Sequence, residues 1–109
     1  MTPEGREALE ASIAHWRAVR AAQHPNAPSI GRRDCALCDL YFQPRCEACP
    51  VAIRTGAAGC FGSPYHEALH RFIEWRKAPD SRTARLAWRV AADEQIKFLE
   101  SLREEAPPA

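Results

Sequence analysis

Five cysteines fall between positions 35 and 60 of a 109-residue chain, and the strongest chemical signal in the sequence is theirs. Cys35-Ala36-Leu37-Cys38 and Cys46-Glu47-Ala48-Cys49 are two Cys-x-x-Cys pairs separated by seven residues, and Cys60 follows after ten more. Two intervening residues let both sulfurs of a pair reach one ion about 2.3 Å away, while nearby backbone amides bond back to the thiolates. Two such pairs make a tetrahedral site, and zinc is the expected cofactor. Four thiolates on a divalent ion leave a charge of about −2, which Arg32, Arg33, Arg45 and Arg54 stand close enough in sequence to offset. Structural zinc contributes on the order of 10 kcal/mol to the folding of small modules, so its removal is expected to unfold the centre of the chain.

The fifth thiol keeps the ligand set open. Cys60 can replace one of the other four or lie beside the site, and Gly56, Gly59 and Gly62 around it favour a tight turn with close backbone approach. An iron–sulfur cluster is the alternative cofactor: Cys49-Pro50 matches the Cys-Pro ending of ferredoxin runs, although the seven-residue gap fits neither ferredoxin spacing. A catalytic dithiol needs one Cys-x-x-Cys at the end of a strand in a βαβ unit, and the surrounding sequence has no such pattern. An odd cysteine count, confined to one segment, also argues against a secreted disulfide framework and for a reducing compartment.

Other side chains with chemical potential are weaker candidates. His66 and His70 are spaced to share a helix face, so a Cys60/His66/His70 site is conceivable, but a surface pair is the simpler expectation because four thiolates already saturate one zinc. His15 and His24 read as structural. Tyr65 is expected to pack over the cysteine loop or donate its hydroxyl to a loop carbonyl. Arg82, Arg85 and Arg89 lie on one face of a predicted helix and could meet nucleic-acid phosphates. The chain is only +1 overall, so a solvated face is the bland reading. No carboxylate pair, Ser/His/Asp set or glycine-rich phosphate loop can be assembled, and no enzyme is expected.

These residues need elements to position them. Thr2-Pro3 can cap a helix whose stripe is Leu9, Ile13, Trp16 and Val19, ending by His24-Pro25. Residues 26–31 read as a linker, and from 32 to 62 neither helical nor strand periodicity persists, so the metal is expected to fix this loop in place of apolar burial. Ser63-Pro64 starts a second helix with Tyr65, Leu69, Phe72, Ile73 and the stem of Arg76 inward, and with Trp75 off the stripe. Asp80 or Ser81 caps a third, with Ala84, Trp88, Ala91, Phe98, Leu99 and Leu102 inward. The three tryptophans read as core and residues 106–109 as a frayed tail.

The expected fold class is therefore mainly α: one domain over residues 1–109, with an N-terminal helix (1–25), a linker and cysteine knot (26–62) and two C-terminal helices (63–105). A composition of 46% hydrophobic and 27% charged residues is that of a folding globular chain. No stretch approaches the roughly 20 apolar residues of a membrane span, and the acidic opening is unlike an export signal, so no membrane is expected.

The strings Ser12-Ile13-Ala14-His15-Trp16, Cys35-x-x-Cys38, Cys46-x-x-Cys49-Pro50-Val51, Thr55-Gly56 and Cys60-x-Gly62-Ser63-Pro64-Tyr65 resemble small cysteine-rich proteins of bacteriophages and prophages. The likeness covers about half of the chain and stops at Tyr65. It implies a cytoplasmic setting in a bacterium or phage-infected host, a metal knot using all five cysteines, and no reaction. The functional expectation is a metal-stabilised binding protein acting on a host or phage protein; nucleic-acid binding through Arg82, Arg85 and Arg89 and an iron–sulfur redox or sensing role are the alternatives.

Overall fold

Thr2 caps the first helix as its sequence dictates: the Thr2 Oγ1 accepts a 3.0 Å hydrogen bond from the Gly5 amide, Pro3 opens the helix, and Glu4 lies in its first turn. In a computed structural model describing residues 2–26, 30, 36–41, 49–56 and 63–104, with side chains 38 and 39 excepted, this helix is α1 (Pro3–Arg20). It is followed by α2 (Ala36–Tyr41), α3 (Pro50–Thr55), α4 (Tyr65–Lys77) and α5 (Arg82–Ser101), and a 3₁₀ turn (Leu102–Glu104) closes the order. Among the described residues every regular element is helical. The 106–109 tail and most of the 26–31 linker lie outside them.

Leu9, Ile13, Trp16 and Val19 are all buried on α1, as their spacing predicts. On α5 the buried stripe is Trp88, Ala91, Ala92, Gln95, Ile96 and Leu99, continued by Leu102 in the 3₁₀ turn. Its cap is Ser81, whose Oγ accepts the Ala84 amide at 3.1 Å. The turn between α4 and α5 closes with the Ala78 amide donating to the Glu74 and Trp75 carbonyls and the Ser81 amide donating to that of Ala78.

The α4 face differs from the expectation. Trp75, predicted to sit off the stripe, is fully buried, and Ile73, predicted inward, is 40% exposed. The true inner face is Ala68, Phe72 and Trp75, at i, i+4 and i+7. An indole buries more apolar area than an isoleucine and has a partner to stack on, so the helix turns to bring Trp75 against Trp88, at 6.5 Å between centroids and 17° between planes. Trp88 also packs against Phe72 at 5.0 Å and Trp16 at 6.0 Å, so α1, α4 and α5 meet at one ring.

Polar and charged pairs mark the direction of α1 and the residues after it against α5. Gln23 meets Arg85, Arg20 meets Asp93, Arg17 meets Glu100 and Glu10 meets Arg103, an order that only antiparallel helices give. Arg103 donates to both Glu10 oxygens, at 2.7 and 2.6 Å, and these hydrogen bonds hold the Glu10 carboxyl below its ordinary range.

Trp88→Ala should cost about 3–5 kcal/mol in urea unfolding. The neighbouring Val90→Ala should stay within about 0.5 kcal/mol because Val90 is 63% exposed. Equal effects would mean Trp88 is not the hub. A lowered folded pKa stabilises above the unfolded value of about 4.3 and ceases to do so as pH falls through the folded one. Glu10→Gln should therefore lower the melting temperature slightly at pH 7 and converge with the parent in acid once pH has fallen through the lowered folded value, the gap shrinking in high salt.

Candidate metal centre and its scaffold

The cysteine segment is not the structureless loop its sequence suggests. Ala36 begins α2 directly after Cys35, and Cys38 lies within that helix; Pro50 begins α3 directly after Cys49. Each helix has six residues, too few for a 3.6-residue period to show, which is why the sequence reads as aperiodic there. Apolar burial helps to hold the segment after all. Ile30, Leu37, Cys49, Val51 and Ala52 join the same core as the tryptophans.

Local chemistry accounts for α3. Cys49 is extended (φ −65°, ψ 132°), Pro50 supplies a helical φ without losing a needed amide, and the Cys49 carbonyl accepts the Ile53 amide at 2.9 Å. Gly56 ends the helix in the left-handed region at φ 73°, donating its amide to the Ala52 carbonyl at 2.8 Å. A Cβ there would meet nothing within 4 Å, so the dihedral alone calls for glycine. Gly59 and Gly62 lie outside the described residues.

Two polar contacts tie these short helices to the long ones. The Leu37 amide donates to the buried Ser12 Oγ at 3.4 Å, joining α2 to α1. Arg54 donates to the Ser101 Oγ and carbonyl at 3.2 and 3.3 Å, joining α3 to the end of α5, where a cation complements the helix dipole. The thiolate-offsetting role expected of Arg54 is thus accompanied by a structural one; Arg32, Arg33 and Arg45 lie outside the described residues.

Of the predicted ligands, Cys49 is placed, and it is buried with 6% exposure. Cys35, Cys46, Cys60 and the Cys38 side chain lie outside the description. Among the described residues no three His, Cys, Asp or Glu side chains converge as a metal site. The donor set suits zinc or an iron–sulfur cluster by type alone: soft thiolates, more than four of them, one already withdrawn from water at a helix start.

His66 and His70 are both exposed on α4. The His66 ring stands edge-on to Tyr65 at 5.4 Å, while His70 Nε2 lies 3.2 Å from a Glu74 oxygen. The Tyr65 ring packs on α1, edge-on to Trp16 at 6.0 Å, and its hydroxyl donates to the Ile30 carbonyl at 2.9 Å, anchoring the linker; packing over the cysteine loop lies outside the described residues. His15 is half-buried and His24 exposed. Arg82 is exposed and Arg85 and Arg89 are half-buried, on one side of α5.

Ser12 and Gln95 were not picked out by the sequence reading. Both lie on buried stripes, Ser12 three residues after Leu9 and Gln95 seven after Trp88, and a polar residue on such a stripe is the signal that finds them. The Gln95 Oε1 is buried without a hydrogen-bond partner among the described residues.

A groove of about 380 Å³ opens where α2 crosses the start of α1, with Ala8, Ala11, Ala36 and Leu40 as its walls and Glu4 and Glu7 beside them. Comparison with known proteins adds nothing to this geometry: no family model, curated protein or solved structure matches the chain. Among the described residues no helix is long and apolar enough to cross a membrane.

Gly56→Ala should cost about 1–2 kcal/mol in denaturant unfolding through the left-handed dihedral, and Gly56→Asn less, because asparagine tolerates that region better. Equal losses would point to packing instead.

Proposed function

We propose that this chain is a metal-stabilised binding protein, with zinc as the metal and a host or phage protein as the partner. Cys35, Cys38, Cys46, Cys49 and Cys60 supply the thiolates. The observation that carries the reading is how the two short helices of the cysteine segment divide their side chains. The first buries Leu37 and keeps Leu40 41% exposed; the second buries Val51 and Ala52 and keeps Ile53 62% exposed. A six-residue helix gains little stability from propensity and needs its burial, so a large aliphatic turned outward on each is better explained by a surface for a partner than by folding.

The metal's part in this reading is structural. One helix is fastened to α1 through Ser12, the other to the end of α5 through Arg54, and the long helices are fastened to each other by ion pairs. An ion shared by the two Cys-x-x-Cys pairs would close that circuit and hold Leu40, Ile53 and the α1–α2 groove in one rigid surface. The phage setting is supported by the sequence resemblance alone.

Protein purified without oxygen should carry about one zinc per chain and show no visible absorption, and chelation should speed amide exchange in α2 and α3 well before α4 and α5. Iron with sulfide would turn the same thiols into a redox or sensing centre; neither metal would sink the reading. Leu40→Asp with Ile53→Asp should leave metal content and melting temperature near the parent's while abolishing capture of any partner that the parent chain binds.

A further inference from the structure

The cations of this chain are unevenly neutralised. Arg17, Arg20, Arg71, Lys97 and Arg103 each lie within 4 Å of a carboxylate. From residue 76 to 89, across the end of α4 and the start of α5, there are five cations, Arg76, Lys77, Arg82, Arg85 and Arg89, against the single carboxylate of Asp80. None of the five forms an ion pair among the described residues. Arg76 and Lys77 have a structural reason to be there, since cations suit a helix C-terminus and Arg76 also lies over the Phe72 ring at 5.9 Å.

Arg82, Arg85 and Arg89 have no such reason. Arg82 is the first residue of α5, at the positive end of a 20-residue helix whose first turn holds no acidic side chain. Folding alone would favour aspartate or glutamate there, and local rules are broken most often where function requires it. Arg85 donates to a neutral partner, the Gln23 Oε1, at 2.6 Å. The Nε atoms of Arg85 and Arg89 are shielded from solvent and have no hydrogen-bond partner among the described residues. The Arg85 and Arg89 stems are thus held against the protein, while no carboxylate among the described residues takes up their charge.

We infer that the α4–α5 tip is a phosphate-backbone docking site for nucleic acid, carried by Arg82, Arg85 and Arg89 with Arg76 and Lys77 adding charge. Three arginines at i, i+3 and i+7 span roughly 10 Å of helix axis, about three of the 3.4 Å axial steps between successive phosphates on one strand. Guanidinium forks match phosphate oxygens, and pre-placed side chains lose less freedom on binding. Such contacts read charge and spacing, so binding is independent of base sequence. An anionic membrane fits less well: the outward apolar residues of α5 are Leu86 and Val90, two side chains where interfacial insertion needs a full apolar face.

The test is fluorescence anisotropy of a labelled 20-base-pair DNA duplex titrated with the full chain at a series of salt concentrations. The expected result is equal affinity for a scrambled duplex and a log K against log salt slope that becomes shallower by about 0.9 for each phosphate contact removed, about 2–3 in Arg82→Gln/Arg85→Gln/Arg89→Gln. Affinity at low salt should drop more than tenfold. Should the triple variant unfold because Arg85 loses Gln23, the exposed Arg82→Gln alone carries the test, with a slope shallower by about 1. Lys97→Gln, a cation paired with Glu94, should change neither quantity. Absence of binding at low salt, an unchanged slope in Arg82→Gln, or binding to phosphatidylserine vesicles in place of DNA would each overturn the assignment.

Discussion

The indole of Trp88, fully buried on α5, packs against Trp16 of α1 and against Phe72 and Trp75 of α4, so one side chain sets how three helices face each other. An aromatic ring has a shape that admits few packings, unlike an aliphatic cluster of similar area. The consequences are visible far along each helix. Trp75 turns in and Ile73 is left outside, α1 lies antiparallel to α5 with its ion pairs in register, and Tyr65 stands over Trp16 with its hydroxyl on the Ile30 carbonyl. The arrangement is not free of cost, since the indole N–H groups of Trp75 and Trp88 are buried without hydrogen-bond partners among the described residues. Each such group opposes folding by about 1–3 kcal/mol, a penalty that the apolar area of stacked rings can outweigh.

The two short helices of the cysteine segment sit at the margin of this frame. Leu37 and Val51 reach the core, yet neither helix is long enough to persist alone, and polar contacts fasten one to Ser12 and the other to Ser101. The chain thus combines a frame held by rings with an edge held by short helices, and the residues best suited to stiffen that edge are the thiols at its helix starts. This division of labour explains how a chain of 109 residues can devote almost a quarter of its length to a cysteine-rich segment.

Legibility in the sequence followed the length of the elements. The α1 and α5 stripes could be read because five turns repeat the period often enough to average out single residues, and Thr2, Pro3 and Ser81 mark starts by capping chemistry. The α4 face was misjudged by a rotation, since counting apolar positions weighs Ile73 and Trp75 equally and only the partner ring on α5 separates them. The six-residue helices fall below what periodicity can detect, although Pro50 and Gly56 bracket one of them with start and stop signals. Ser12 and Gln95 remained hidden because stripe reading looks for apolar residues. The cysteine segment is the reverse case: its spacing declares a donor set in sequence, whereas of the five predicted ligands the structure describes Cys49 and the backbone of Cys38.

The hub and the basic tip are connected by helix geometry. Arg85 and Arg89 stand three residues before and one after Trp88, so the azimuth that buries the indole also fixes the side of α5 on which the arginines lie. Their stems are drawn against the protein far enough to shield both Nε atoms, while Arg82, one turn earlier at the helix start, stays exposed. A rotation of α5 that released Trp88 would carry all three arginines with it. The side of α5 on which the arginines stand is therefore set by the aromatic core, since the backbone positions of all three follow from the azimuth that buries the indole.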